Sequence, residues 1–213
     1  MRIRWHGHAC FELSDGQIVV TDPHDGKYIG IPPPRVKGDI ILVSHDHFDH
    51  NSVKTVRGTG SRVYDKPGSY EDGKVKILGV PSFHDDVQGQ KRGQVVLFKI
   101  EMEGLRFVHL GDLGCIPGER ELEALGAVDI LFVPVGNVFT IDAVRAWEVV
   151  TRIQPIVAVP MHYRVGGLSL SIKTVDPFLA EARGKAEIVN VGNEIEFEVP
   201  DLPEELTVWV FSL

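Results

Sequence analysis

The chain is written in short apolar runs separated by turn-forming residues, and most runs are too short to be helices. Residues 39–43 (Asp-Ile-Ile-Leu-Val), 130–135 and 156–159 are nearly unbroken apolar stretches of strand length, the pattern of strands buried on both faces. Residues 2–5 and 10–13, then the Ser14-Asp15-Gly16 turn and residues 17–21, predict a first hairpin. Residues 94–100 and 105–110, around Glu103-Gly104, predict a second. Further strands are expected at 62–64, 75–80, 187–191, 194–199 and 206–211. Helical spacing is clearest over 141–153, where Ala143, Ala146, Trp147, Val150 and Ile153 share one face as a core stripe. Helices are also expected at 119–125 and 174–183, with a short one starting near Asn51. Residues 22–38, rich in Pro and Gly, form a long loop of the kind that often carries function. The order of strands then helices recurs near residue 94. The expected fold class is α/β (α+β): two packed sheets between helical layers. The expected organisation is a single domain over 1–213, with two pseudo-equivalent halves, roughly 1–93 and 94–213.

Composition narrows the function. A hydrophobic content of 43% with 24% charged residues is that of an ordinary globular protein. The net charge of −8 argues against a general binder of nucleic acid or anionic membrane. No window is apolar for long enough to span a bilayer, and Met1-Arg2-Ile3-Arg4-Trp5-His6 lacks the apolar run of a signal peptide. Cys10 and Cys115, the only 2 cysteines, make neither a Cys-x-x-Cys pair nor a disulfide framework. A cytoplasmic protein with a small-molecule substrate is expected, with no membrane or nucleic-acid partner. A homo-oligomer stays open, because Val208-Trp209-Val210-Phe211 reads equally as an interface strand or as core.

The chemistry concentrates after residues 39–43, in Ser44-His45-Asp46-His47-Phe48-Asp49-His50-Asn51. His45 and His47 are two apart and point to one side of an extended chain. Asp49 and His50 fall where the chain turns towards the short helix. With 9 His in 213 residues, a chance His-x-His-x-Asp-His arises in about one chain in a thousand of this composition. Imidazoles with a carboxylate suit zinc, manganese or iron, not the all-oxygen shells of calcium and magnesium. Three more metal-type residues sit at expected strand ends: His84, Asp112 and His162. Each alone reads as a turn or cap residue. Together with the central motif they make five His and two Asp, enough for two ions sharing a carboxylate. Asp22, His8 and His109 are candidates to orient the ligands from behind. His6 reads as structural, and His24 is assigned no role. Tyr163 and Arg164, directly after His162, are candidates to bind substrate, by donating to an oxyanion and by gripping a phosphate or carboxylate. Lys91 and Arg92, in the Gly-rich loop after His84, are candidate rim cations.

In this order the motifs resemble the metallo-β-lactamase superfamily. They are Trp5-His6-Gly7-His8, Thr21-Asp22-Pro23, the central motif, Phe83-His84, His109-Leu110-Gly111-Asp112, Pro134-Val135-Gly136-Asn137 and Val159-Pro160-Met161-His162-Tyr163. The chain is most similar to that group's small metal-dependent hydrolases, close in pattern to ascorbate-phosphate lactonase-like proteins. The resemblance implies a four-layer αββα sandwich with the site at one edge. It implies one ion on His45, His47 and His84, a second on Asp49, His50 and His162, and Asp112 bridging them. Where the family often has Gly-Asp-Thr, this chain has Gly111-Asp112-Leu113.

The expected cofactors are thus two divalent transition-metal ions, zinc or manganese. The expected function is hydrolysis of a small ester, lactone or phosphodiester, anionic in the reading built on Arg164, by a metal-bridging hydroxide. Asp49 and His162 are the expected catalytic residues, Asp49 orienting the hydroxide and taking up its proton. The alternatives are a nuclease-type phosphodiesterase and a non-catalytic metal-binding or sensing protein. The di-iron flavoproteins of this fold carry Glu where His47 stands and need an appended flavodoxin-like domain, so they fit the chain poorly.

Overall fold

A computed structural model describes all residues 1–213. The strands in chain order are β1 (Arg2–Trp5), β2 (Phe11–Asp15), β3 (Gln17–Thr21), β4 (Gly38–Leu42), β5 (Arg57–Tyr64), β6 (Gly68–Asp72) and β7 (Val75–Phe83). They continue with β8 (Gln94–Met102), β9 (Leu105–His109), β10 (Ile130–Pro134), β11 (Val157–Met161), β12 (Glu187–Gly192), β13 (Glu194–Glu196) and β14 (Thr207–Phe211). The helices are α1 (Val53–Val56), α2 (Glu119–Leu125), α3 (Ala143–Ile153) and α4 (Asp176–Ala182). One sheet runs β13-β1-β2-β3-β4-β5 and the other β12-β14-β11-β10-β9-β8-β7-β6. They pack face to face through aromatic rings, with Phe11 of the first sheet 4.4 Å from Phe132 and 5.7 Å from Phe211 of the second.

Helices α2, α3 and α4 pack on the eight-stranded sheet, and the single turn of α1 packs on β4 and β5, giving the αββα sandwich. Helix α3 forms because its apolar positions recur at helical spacing and Asp142 caps it, accepting from the Arg145 N–H at 2.9 Å. It ends at Gln154, which takes the left-handed conformation before Pro155. No helix is long and apolar enough to cross a membrane.

Two local expectations change. β6 was not anticipated: Gly68-Ser69-Tyr70-Glu71-Asp72 is polar and weakly strand-forming, and it is recruited as an edge by antiparallel pairing with β7. The strand expected over 194–199 stops at Glu196, because Pro200 and a Glu198–Asp201 capping pair turn the chain into a 3-10 turn, Val199–Asp201. The sheets also share strands across residue 93/94. β6 and β7 join the second sheet, while β13 pairs with β1 (Ile3 opposite Ile195) in the first.

The arrangement gathers one set of strand ends. β3 and β4 are parallel, as are β9, β10 and β11, and β7 runs with β9 because each is antiparallel to β8. The carboxyl ends of β3, β4, β7, β9, β10 and β11 deliver Asp22, His45, His84, Asp112, Gly136 and His162. That is the edge where open α/β sheets place their sites.

Candidate metal centre

Asp112 is the middle of the cluster. Its Oδ2 lies 3.2 Å from His162 Nε2, 3.5 Å from His84 Nε2 and 3.8 Å from His45 Nε2, and its Oδ1 lies 3.3 Å from His50 Nε2. Two donors bound tetrahedrally at about 2.1 Å to one ion are about 3.4 Å apart, so this is the spacing of atoms that share a cation. Around Asp112 the donors fall into two sets, each with its ligand atoms within 4.8 Å of one another: His45 with His47 and His84, and Asp49 with His8, His50 and His162; a third grouping, Asp22 with His45 and His50, links the two from behind. His47 is the open member; His45 and His84 are buried.

The donor set fits metal for a reason internal to the structure. His45 Nε2, His50 Nε2, His162 Nε2 and Asp112 Oδ1 are buried with no hydrogen-bond partner. Each such atom costs about 1–3 kcal/mol if left unpaired. Three unpaired imidazole nitrogens converging on a carboxylate with an unpaired oxygen of its own is an arrangement that bound cations satisfy.

Hydrogen bonds behind the cluster choose the tautomers. Asp22 Oδ1 accepts from the Ser44 N–H at 2.7 Å, and Oδ2 accepts from Ser44 Oγ at 2.7 Å and from His50 Nδ1 at 2.9 Å. Ser44 has a single proton and gives it to Asp22, so its oxygen accepts from His45 Nδ1 at 2.9 Å. Both imidazoles thereby turn Nε2, the nitrogen left to a metal, towards the cluster. Ser44 was not singled out from sequence; a serine before a histidine carries no signal until Asp22 is seen beside it. On the other side His8 Nε2 donates to Asp49 Oδ2 at 3.0 Å. His8, Asp22 and His162 all have positive φ (58°, 38° and 54°), and such cost in non-glycine residues tends to gather at functional sites.

The remaining candidates separate. His109 touches no ligand side chain: its Nε2 donates to the Ala9 carbonyl at 2.9 Å and its Nδ1 accepts from Gly111 N at 3.2 Å, so it braces the turn that carries Asp112. Tyr163 is corrected. It is 3% exposed, its ring lies 5.1 Å from Trp5, and its hydroxyl donates to the Phe211 carbonyl at 2.5 Å, so it is core and faces no substrate. Arg164 is exposed, and its backbone N–H is taken by the Lys173 carbonyl at 2.8 Å. His6 bonds Glu12 at 3.0 Å, and His24, fully buried, donates to the His6 carbonyl at 3.0 Å. A cavity of about 690 Å³ beside Met1, Arg2 and Asp15 sits at the opposite strand ends and holds no His.

Electrostatics assign the protons. Burial pushes His45 down to about 3, with the nearby His50 adding to it, so His45 is neutral. Burial alone would raise Asp112, but His162 and His50 hold it well below the usual carboxylate range. His50 goes the other way: burial opposes its charge, yet Asp112 and Asp22 raise it well above an ordinary histidine. Metal-free protein therefore carries a proton on His50 at neutral pH, and an ion must displace it. We expect metal uptake at pH 7–8 to release protons, seen as a calorimetric heat that changes with buffer ionisation enthalpy, and affinity to rise with pH. In the stripped protein the His50 contribution to stability is full below about pH 6.5 and is lost as pH rises through the raised value. A metal-binding heat independent of buffer would contradict this.

Comparison with known proteins agrees with the geometry. Residues 2–162 match the family described as a beta-lactamase superfamily domain. A UPF0173 metal-dependent hydrolase from Thermoplasma acidophilum is 33% identical, with 76% of this chain and 83% of that protein aligned. A crystal structure from Thermotoga maritima, described as a candidate Zn-dependent hydrolase of the metallo-beta-lactamase superfamily, is 35% identical with a TM-score of 0.81 over 100% of both chains. Igni18, a metallo hydrolase from Ignicoccus hospitalis, shares the fold at 20% identity, TM-score 0.68, over 92% of this chain and 99% of that one. With residues 2–162 matching the family and a relative 33% identical over most of both chains, the chain belongs to the beta-lactamase superfamily, in its UPF0173 metal-dependent hydrolase branch.

Proposed function

We propose that this hydrolase is binuclear, with zinc or manganese as its ions, and that it cleaves a small ester, lactone or phosphodiester. The observation that carries the reading is Asp112, one carboxylate within 3.2–3.8 Å of four imidazoles drawn from both donor sets. His45, His47 and His84 would hold one ion, Asp49, His50 and His162 the other, and Asp112 both. When bound, a pair of such ions supplies hydroxide near neutral pH and Lewis acidity for the developing oxyanion. The residues supply placement and proton handling. Asp22 and Ser44 fix the two imidazoles so that neither rotates or swaps tautomer. Asp49 is held by His8, and although burial would raise it, that hydrogen bond and His50 keep it ionised. An ionised carboxylate accepts, so Asp49 orients the attacking water and receives its proton.

The expected result is about two transition-metal ions per purified chain, with turnover of generic esters, lactones or phosphodiesters lost on chelation and restored by zinc or manganese. Elemental analysis finding no metal, with no recovery on adding either ion, would sink the reading. One ion per chain would leave a mononuclear enzyme on His45, His47 and His84. Two ions without any turnover would leave a metal-binding protein.

A further inference from the structure

We propose that the substrate carries an oxyanion tail, a carboxylate or phosphoryl group, bound beside the metal centre in the cavity walled by Lys91, Arg92 and Arg145. The inference rests on the hydrolase reading above and adds where the substrate is gripped. The cavity has a volume of about 210 Å³ and shares His84 with the donor cluster, so its contents sit one residue from the ions. At about 30 Å³ per water it holds some seven waters, room for one small charged group and not for a polymer.

Its charge is unlike the rest of the molecule. The chain carries a net −8, yet three cationic side chains close this one wall. Two acids also line it, and neither cancels them. Asp85 is occupied by main chain: its oxygens accept from Val87 N at 2.9 Å, Gly89 N at 2.7 Å, Lys91 N at 2.9 Å and Arg92 N at 2.8 Å. Those four bonds fold the loop after His84 around the carboxylate and so set where Lys91 and Arg92 emerge. Asp86 meets Arg145 only at 4.0 Å, with both side chains about half exposed, a pairing that water largely screens.

The cations are also prepared to different degrees. Arg92 is pinned, with its guanidinium 4.9 Å over the Phe139 ring and Nη2 donating to the Val138 carbonyl at 3.2 Å. Most of its ordering cost is already met, and its remaining N–H groups are free for an oxyanion. The Lys91 ammonium forms neither a hydrogen bond nor an ion pair within the chain. A fixed arginine with two less constrained cations is a suitable grip for a planar or tetrahedral oxyanion. This places anion recognition on the His84 side, away from Arg164.

The test uses metal-loaded protein and three aryl esters that share a scissile bond but end in a phosphate, a carboxylate or a neutral amide. For wild type, kcat/KM is expected to favour a charged tail, and the better of the two charged esters identifies the tail chemistry. Lys91→Ala and Arg145→Ala should each lower the charged-to-neutral ratio by about tenfold to a hundredfold, the range for a hydrogen bond to a charged group. The Lys91→Glu/Arg145→Glu double variant should invert the preference, which a merely structural role would not do. Calorimetric titration with inorganic phosphate gives a readout free of turnover: the double variant should bind it at least about tenfold more weakly at unchanged metal content. The proposal is overturned if ratio and phosphate affinity survive the double variant, or if Arg164→Ala is the change that erases the preference. If wild type cleaves none of the esters, the hydrolase reading falls, and the phosphate titration still decides the subsite.

Discussion

Replacing Asp112 by alanine is expected to empty the metal centre and abolish turnover together. Both carboxylate oxygens face imidazole nitrogens from the two donor sets, whereas Asp22, the other acid near His45 and His50, is already engaged by Ser44 and by His50 Nδ1 from behind. Two dications about 3.8 Å apart repel by roughly 17 kcal/mol at an effective dielectric of 20, and a shared anion is what makes the pair tolerable. Without it at least one ion leaves, and the pKa of the attacking water returns from near 7 towards 15.7. Turnover should fall by about a thousandfold or more, and elemental analysis should show less than one ion per chain. Asp112→Asn, which keeps the volume and removes the charge, should act in the same direction. An Asp112→Ala protein that kept two ions and wild-type kcat would show that Asp112 is not shared.

Much of this was readable in the sequence because two signals are local. Unbroken apolar runs such as 130–135 and 156–159 could only be buried strands, and they became β10 and β11. The capped, amphipathic segment at 141–153 became α3. The central motif packs four metal-type side chains into six residues, so its chemistry needed no tertiary information. Other features are written only in three dimensions. Tyr163 follows His162 in sequence, but the chain turns there and sends the ring inward against Trp5. Ser44 becomes a relay because β3 lies next to β4 and brings Asp22 alongside it. Lys91 and Arg92 are legible as rim cations from their place after His84, but Arg145 joins them from α3, far off in sequence, so no spacing could announce it. Gly136 lies in one of the motifs that carry the resemblance, but what it does there is not legible, since a glycine after a strand reads as an ordinary turn.

Its contribution is steric. A Cβ at Gly136 would lie 1.9 Å from the His162 carbonyl oxygen, where Cβ atoms essentially never come within 3.0 Å, so one backbone must move by 3.0 − 1.9, or 1.1 Å. Neither backbone is free to do so. The His162 N–H is tied to the His8 carbonyl at 3.0 Å, the Gly136 carbonyl accepts from Lys173 N at 2.8 Å, and His162 already sits at a φ of 54°. The movement therefore reaches the His162 ring, whose Nδ1 would lie 3.3 Å from the same Cβ, and through it the spacing to Asp112. A displacement near 1 Å costs on the order of a hundredfold in rate, and overpacking of this kind costs about 1–3 kcal/mol of stability. We expect Gly136→Ala to remain folded with a lower Tm, to lose the ion on the Asp49, His50 and His162 side first, and to lose roughly two orders of magnitude in kcat/KM. Gly166→Ala is the matched control, because a Cβ there meets nothing within 4 Å. If Gly136→Ala held both ions and kept wild-type kcat/KM, the position of His162 would not depend on this contact.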